Sequence, residues 1–138
     1  MDLGQEKLNG DFVRALITAG AITAAHDISD GGLLVAVAKM ALSGGIGARL
    51  ETPAAGDGAS AGFEMFFGEA QARYILTCAS GGYAEIVADA HRRGVAVGRI
   101  GVTGGSSLTL PDGTPISVAE LKKAHDSWLP DYMAGKVQ

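Results

Sequence analysis

Apolar residues recur at helical spacing in three stretches of the chain, and these stretches predict its main helices. The first helix is predicted over residues 9–19, with Asn9 as its N-cap. The second covers residues 31–42 and is apolar on almost every side, so more than one of its faces needs cover. The third covers residues 83–93 and ends at Gly94, where a left-handed residue commonly terminates a helix.

Shorter runs of alternating or β-branched residues predict the strands of the fold. Strands are expected over residues 21–25, 46–51, 72–78, 95–102 and 107–110. A turn signal at residues 111–114 predicts a hairpin that leads to Ile116. Ser117 and Glu120 form a capping box, which predicts a last helix that starts there and ends near residue 124.

Helices and strands are mixed along the chain, and several consecutive strands are joined by turns too short for a crossover. This pattern favours an α+β fold, a layered domain with a mixed β-sheet packed by helices, over a doubly wound parallel sheet. We expect an N-terminal extension, one domain and a C-terminal tail, over residues 1–8, 9–124 and 125–138. Trp128, Leu129 and Tyr132 are expected to dock the tail, and the Gly-, Ala- and Pro-rich residues 52–62 to form a mobile loop.

Composition narrows the classes of function. The 138 residues are 47% apolar, which is enough for one core, and the net charge of −4 comes with no basic cluster that would attract nucleic acid. The longest apolar run is too short to span a bilayer, so no membrane partner is expected. The single cysteine fits a cytoplasmic location. No histidine has a second His or Cys at ligand spacing, so we predict no structural metal.

The first candidate site is the segment that joins the first strand to the second helix. The opening amides of a helix lack partners inside it, and two glycines let a phosphate approach them closely. The two carboxylates of the segment would repel a bare phosphate, but they can hold Mg²⁺ or ligand hydroxyls, and either Ser29 or Asp30 can cap the helix. A capped helix without any ligand explains the same residues. The candidate binding residues are His26, Asp27, Ser29, Asp30, Gly31 and Gly32.

A second polar segment lies where a later strand is predicted to begin. Glu69, Gln71 and Arg73 place a carboxylate, an amide and a guanidinium there, and such groups can orient a hydroxylated or phosphorylated ligand. The alternative is a local ion pair between Glu69 and Arg73 beside the sheet. We predict no catalytic residue in either segment.

These motifs carry a resemblance to a known family. Residues 26–32, followed by an apolar helix, resemble the C-terminal domain of the superfamily of aminoimidazole ribonucleotide synthetase, selenophosphate synthetase and thiamine monophosphate kinase. Residues 9–14, 67–74 and 125–130 are similar to the last domain of the phosphoribosylformylglycinamidine synthase family, synthetase subunit. A related domain of that family uses a Glu-Ser-Gln triplet in substrate binding. The match here carries over only to Glu69 and Gln71, because Ala70 replaces the serine.

The resemblance implies a ligase of de novo purine biosynthesis that converts formylglycinamide ribonucleotide to the amidine with ATP and glutamine-derived ammonia. It implies ATP and Mg²⁺ in the full-length enzyme, with none bound tightly to this domain. The implied partners are the remaining domains of the same synthetase, a glutaminase subunit, a small accessory subunit and a phosphorylated riboside substrate. The family's catalytic histidine and principal metal ligands belong to N-terminal halves that have no counterpart here, so the domain alone is expected to be inactive.

Two alternatives stay open. The chain can be a packing module whose ligand site is vestigial, which Ala70 favours. It can also be a relative of thiamine monophosphate kinase, which shares the Asp-x-Ser-Asp-Gly pattern of residues 27–31.

Overall fold

The computed structural model describes residues 2–51, 66–68 and 72–136, so the loop predicted over residues 52–62 lies outside the described residues. The chain divides into two compact units. The first comprises Met1–Val37 and Pro53–Arg99, and the second comprises Ala38–Thr52 and Ile100–Gln138. In chain order the described elements are α1 (Leu3–Thr18), β1 (Ala24–Asp27), α2 (Gly32–Gly44), β2 (Ala48–Leu50), β3 (Tyr74–Thr77), α3 (Tyr83–Arg93), β4 (Gly101–Thr103), β5 (Ser107–Thr109), β6 (Pro115–Ser117) and α4 (Val118–Met133).

Helix α1 begins six residues earlier than its apolar pattern predicts. Asp2 caps it, because its side chain accepts hydrogen bonds from the amides of Gly4 and Gln5 at 3.0 and 3.1 Å. The prediction that Asn9 is the N-cap is therefore wrong, and Asn9 lies in the middle of the helix. Gly20 follows the helix with a φ of 66°, as its place in the sequence predicts.

The first unit contains an apolar core between its helices and a two-stranded antiparallel sheet of β1 and β3. Phe12 and Leu16 of α1 are buried together with Ile86 and Ala90 of α3 and with Val95. Ile22, Leu76 and Cys78 pack against this cluster. The alternation along β3 therefore turns Leu76 toward the cluster and buries Ile75 on the opposite face.

The end of α3 corrects one strand prediction. Gly94 has a φ of 72°, its amide bonds to the carbonyl of His91, and the amide of Val95 bonds to the carbonyl of Ala90. These two bonds form a Schellman ending, in which an apolar residue after the glycine packs back onto the helix. Val95 thus belongs to the helix terminus. Of the strand expected over residues 95–102, only the last two residues are in a regular strand, which covers Gly101–Thr103.

The second unit contains a four-stranded mixed sheet in the order β4-β2-β5-β6. β2 pairs antiparallel with β4 and parallel with β5, so the two strands that follow each other in the chain lie on either side of β2. β5 and β6 form the expected hairpin, closed by a hydrogen bond from the amide of Leu110 to the carbonyl of Thr114. Ala48, Leu50 and Leu108 are buried while Arg49 is exposed, as the alternation of a half-buried strand requires.

Helix α4 starts where the capping box places it but is twice as long as expected. Ser117 accepts a hydrogen bond from the amide of Glu120 at 3.4 Å. The helix then continues through residues 125–133 of the predicted tail. An ion pair between Lys122 and Asp126 and the stacking of Trp128 on Tyr132, with ring centroids 5.4 Å apart, support the added turns.

The docking predicted for this tail is wrong. The side chains of Trp128, Leu129 and Tyr132 are 56%, 58% and 57% exposed, although they lie within helix α4.

The α+β fold class is confirmed, with the described strands divided between a two-stranded antiparallel sheet and a four-stranded mixed sheet. Among the helices of the described residues, none combines the length and the apolar character needed to cross a membrane. The limits of the extension, the domain and the tail stay predictions.

Candidate functional site

The pairing of β1 with β3 brings the first polar segment next to Arg73, the described residue of the second. His26 lies opposite Ile75 and Asp27 lies opposite Tyr74. One step beyond the strands, the amide of Ile28 donates a hydrogen bond to the carbonyl of Arg73 at 2.9 Å. Residues 26–28 therefore lie beside Arg73 in the first unit, and backbone hydrogen bonds fix this arrangement.

His26 and Asp27 belong to a strand, whereas the sequence placed them in the loop after one. The expected strand over residues 21–25 is displaced to Ala24–Asp27. Alanine, histidine and aspartate have little β propensity, so the register with β3 decides this strand and local preference does not. His26 donates from Nδ1 to the carbonyl of Asp27, and the same nitrogen lies 3.4 Å from a carboxylate oxygen of Asp27. The Asp27 side chain is 65% exposed, so its carboxylate is accessible.

The opening of α2 uses two glycines in conformations that other residues rarely adopt. Gly31 and Gly32 have φ angles of 85° and 70°, and the Gly32 amide donates to the carbonyl of Ser29 at 3.0 Å. Because the helix begins at Gly32, Gly31 flanks its first turn, so neither Ser29 nor Asp30 occupies the capping position that we expected. Ser29 and Asp30 are both exposed.

Gly32 permits a close approach to the start of α2, but the group that approaches is the backbone of Phe66 and Phe67. A Cβ at this position would lie 2.7 Å from the carbonyl oxygen of Phe66 and 2.8 Å from the Cα of Phe67. Gly32 is buried beneath this backbone. We expected this glycine to make room for a phosphate. In the structure it makes room for the backbone of residues 66–67 instead. Its part in ligand binding stays a prediction.

Arg73 forms hydrogen bonds through both its side chain and its backbone. Its guanidinium donates to the carbonyl of Gly68 at 3.1 Å, and its own carbonyl receives the amide of Ile28. The side chain is half-buried. Glu69 and Gln71 lie outside the described residues, as does the alternative ion pair between Glu69 and Arg73.

Asn9 lies beside this site, although its sequence pattern did not predict this position. Asn9 donates from its side-chain amide to the carbonyl of Ala72 at 2.9 Å, in a partly buried contact between residues 63 positions apart. Ala72 has a φ of 62°. Asparagine is unfavourable inside a helix, which was the available signal that its side chain has another task.

The described charges of the site are two exposed carboxylates, Asp27 and Asp30, and the guanidinium of Arg73. Oxygen ligands of this kind suit Mg²⁺, which commonly takes one or two carboxylates and completes its shell with water and substrate phosphates. Within residues 2–51, 66–68 and 72–136, no three His, Cys, Asp or Glu side chains are arranged to hold a metal ion by themselves.

The fold is an α+β domain in which a helix that opens with two glycines lies beside the polar end of a strand. These features are those that the sequence shares with the superfamily of aminoimidazole ribonucleotide synthetase. Residues 1–111 match the family described as AIR synthase related protein, C-terminal domain. The chain belongs to this family, and the resemblance drawn from the sequence is confirmed.

Similar curated proteins are subunits of one enzyme. The phosphoribosylformylglycinamidine synthase subunit PurL of Rhizobium meliloti (strain 1021) is 48% identical over 135 residues, which are 98% of this chain and 18% of that protein. The subunit of the same name from Azorhizobium caulinodans is 52% identical over 133 residues, 96% of this chain and 18% of that protein. The chain thus spans about 18% of the length of the curated relatives that it matches.

Solved structures share the fold. One described as T. maritima PurL complexed with FGAR aligns with a TM-score of 0.70 over 85% of this chain and 21% of that chain, at 17% identity. One described as the structure of PurLQS from Thermotoga maritima aligns with a TM-score of 0.73 over the same shares, also at 17% identity. Another is described as T. maritima PurL complexed with ATP and has a TM-score of 0.68 at 16% identity over 84% of this chain and 21% of that chain.

Proposed function

We propose that this chain acts as the C-terminal domain of an ATP-dependent phosphoribosylformylglycinamidine synthase of purine biosynthesis. The reaction is the conversion of formylglycinamide ribonucleotide to the amidine with glutamine-derived ammonia. The observation that carries the proposal is identity of about one half to PurL subunits over nearly the whole chain. The same relatives favour a synthase over the kinase-like alternative.

In this proposal the residues around the β1–β3 pair form one wall of a pocket for a phosphorylated riboside. Asp27 and Asp30 would hold ligand hydroxyls or the magnesium ion that accompanies ATP, and Arg73 would orient a phosphate. When bound, the magnesium nucleotide neutralises charge on the phosphoryl group that is transferred. The wall binds and orients its ligand and excludes water from it, and no residue of this chain is assigned a bond-making step.

The remaining domains of the same synthetase supply the catalytic groups in this proposal, so the domain alone does not turn over. A glutaminase subunit and a small accessory subunit are the proposed partners, and a solved structure described as PurLQS supports such an assembly. ATP and ADP complexes of T. maritima PurL support nucleotide use. A cytoplasmic location is part of the same proposal.

A chimeric enzyme tests the proposal. The corresponding segment of Rhizobium meliloti PurL, which is 48% identical over 135 residues, is replaced by this chain to give what we call the chimeric synthase. We expect it to retain synthase activity with ATP, formylglycinamide ribonucleotide and ammonia. The double substitution Asp27→Ala and Asp30→Ala should lower kcat/KM by at least about tenfold, the effect of losing an interaction of roughly 1.4 kcal/mol.

The matched control removes two exposed carboxylates far along the chain, Asp126 and Asp131, which pair with Lys122 on α4 and with Lys136 just after it. Replacing them with alanine should leave kcat/KM within about twofold, since exposed ion pairs contribute little. An inactive chimeric synthase that is nevertheless folded would contradict the proposed function.

A packing module with a vestigial site is the second candidate. The burial of Gly32 beneath the backbone of Phe66 and Phe67 favours it, because this glycine serves an internal contact. In that case the chimeric synthase is active and the Asp27→Ala, Asp30→Ala variant keeps its full kcat/KM.

A further inference from the structure

The amide side chain of Asn9 joins α1 to the residue that precedes Arg73. Its Nδ2 donates to the carbonyl of Ala72 at 2.9 Å, and its Oδ1 accepts a hydrogen bond from Nε2 of Gln5 at 2.7 Å. The bond from Gln5 fixes which end of the Asn9 amide faces Ala72. Gly10, the next residue, lies close to β3, since a Cβ there would be in van der Waals contact with the hydroxyl of Tyr74 at 3.6 Å.

The residue that receives this hydrogen bond has a strained backbone. Ala72 has a φ of 62°, and no other non-glycine residue among the described ones has a positive φ. Alanine disfavours this left-handed conformation because its Cβ crowds the following carbonyl oxygen. Such a conformation persists only where the surrounding structure holds it, and it is most common at functional sites.

The direction of Arg73 depends on this strained residue. Arg73 follows directly, its carbonyl receives the amide of Ile28 at 2.9 Å, and its guanidinium donates to the carbonyl of Gly68 at 3.1 Å. If Ala72 relaxed to negative φ, the chain entering Arg73 would change direction, and both bonds would be lost or remade.

We propose that Asn9 is a positioning residue that holds Ala72 in the left-handed conformation and thereby orients Arg73 toward a phosphorylated riboside. This inference rests on the proposed function for its ligand. The conformational part, however, concerns only Asn9 and Ala72 and can be measured without any ligand.

The first measurement is made on the full 138-residue chain by nuclear magnetic resonance. A left-handed residue brings its amide and α protons close together, so Ala72 should give a strong intraresidue Overhauser effect. Asn9→Asp keeps the shape but replaces the donor by a carboxylate that repels the carbonyl, and the strong effect should disappear. The control Asp11→Asn changes a carboxylate that pairs with Lys7 on the same helix and should leave Ala72 unchanged.

The second measurement uses the chimeric synthase. Asn9→Asp should raise KM for its ligand about tenfold while kcat changes less than twofold, because one orienting hydrogen bond contributes roughly that factor. Adding Ala72→Gly should restore KM, since glycine adopts positive φ without help. KM values for ATP and for formylglycinamide ribonucleotide, measured separately, tell which phosphorylated riboside contacts this wall.

Loss of the Overhauser effect together with a raised and rescued KM supports the inference. An unchanged Overhauser effect in Asn9→Asp overturns it, and so does an unchanged KM for both substrates after Ala72 has relaxed. An inactive parent chimeric synthase contradicts the proposed function instead. The Asn9–Ala72 link is then decided by the Overhauser effect alone.

Discussion

At some residues of this chain local interactions determine conformation and stability, and at others long-range contacts do. Asp89 on α3 is an example of local chemistry. Arg92 donates a hydrogen bond to its carboxylate at 3.0 Å, and Arg93 lies at 3.0 Å from its other oxygen. Both interactions favour the charged carboxylate and lower the pKa of Asp89 below its usual value.

The pH dependence of stability follows from this lowered pKa. The folded chain releases the Asp89 proton more readily than the unfolded chain, so Asp89 stabilises the fold at neutral pH. This contribution is lost as the pH falls through the lowered pKa. Thermal unfolding of Asp89→Asn should therefore show a lower Tm than wild type at pH 7 and an equal Tm in strong acid. A difference that grows as the pH falls would contradict the assignment.

Ala72 is the residue where long-range contacts override local preference. Ala72→Gly should raise the free energy of unfolding by about 0.5–1 kcal/mol, because the strain of positive φ is removed and part of the gain is offset by the flexibility of glycine. The matched control is Ala79→Gly, where φ is −60° and glycine should destabilise. Urea unfolding measures both. A loss of stability in Ala72→Gly would mean that Ala72 is not strained.

Two glycines at helix ends, Gly32 and Gly94, are required for different structural reasons. Gly32 and Gly94 have nearly equal φ angles of 70° and 72°. A Cβ at Gly94 would meet nothing within 4 Å, whereas a Cβ at Gly32 would meet the backbone of residues 66–67. Gly94 is needed only for conformation, and Gly32 is needed for conformation and for packing.

Substitution by alanine separates these two needs. Gly94→Ala should cost about 1–2 kcal/mol of unfolding free energy, the penalty for a left-handed alanine. Gly32→Ala should cost at least about 2 kcal/mol more, because a buried clash with backbone is added. Denaturant unfolding without ligand measures both values. Equal costs would show that residues 66–67 do not press on Gly32, and the space there would then be available to a ligand.

At the scale of the whole molecule, apolar side chains remain in solvent along α4. Trp128, Leu129, Tyr132 and Met133 are 56–78% exposed. The sequence pattern wrongly predicted a docked tail, since aromatic residues occur both in docked and in exposed segments.

The single tryptophan makes this exposure measurable. Trp128 should emit at a wavelength close to that of the urea-unfolded chain, and iodide should quench it to a comparable extent in the folded and unfolded chains. Stacking on Tyr132 protects only one face of the indole. Blue-shifted emission that iodide cannot quench would show that the tail is docked.

The sequence by itself determined the α+β class, the extent of α3, the Gly94 and Ser117 helix ends, the β5–β6 hairpin and the family. Each of these rests on interactions between residues close in the chain or on a motif of a few consecutive residues. Tertiary structure alone decided that His26 and Asp27 join a strand, that β2 separates β4 from β5, that Phe66 and Phe67 cover Gly32, and that Asn9 holds Ala72. The physical reason is that these contacts join residues far apart in the chain, and their energies exceed the weak local propensities that a sequence pattern reports.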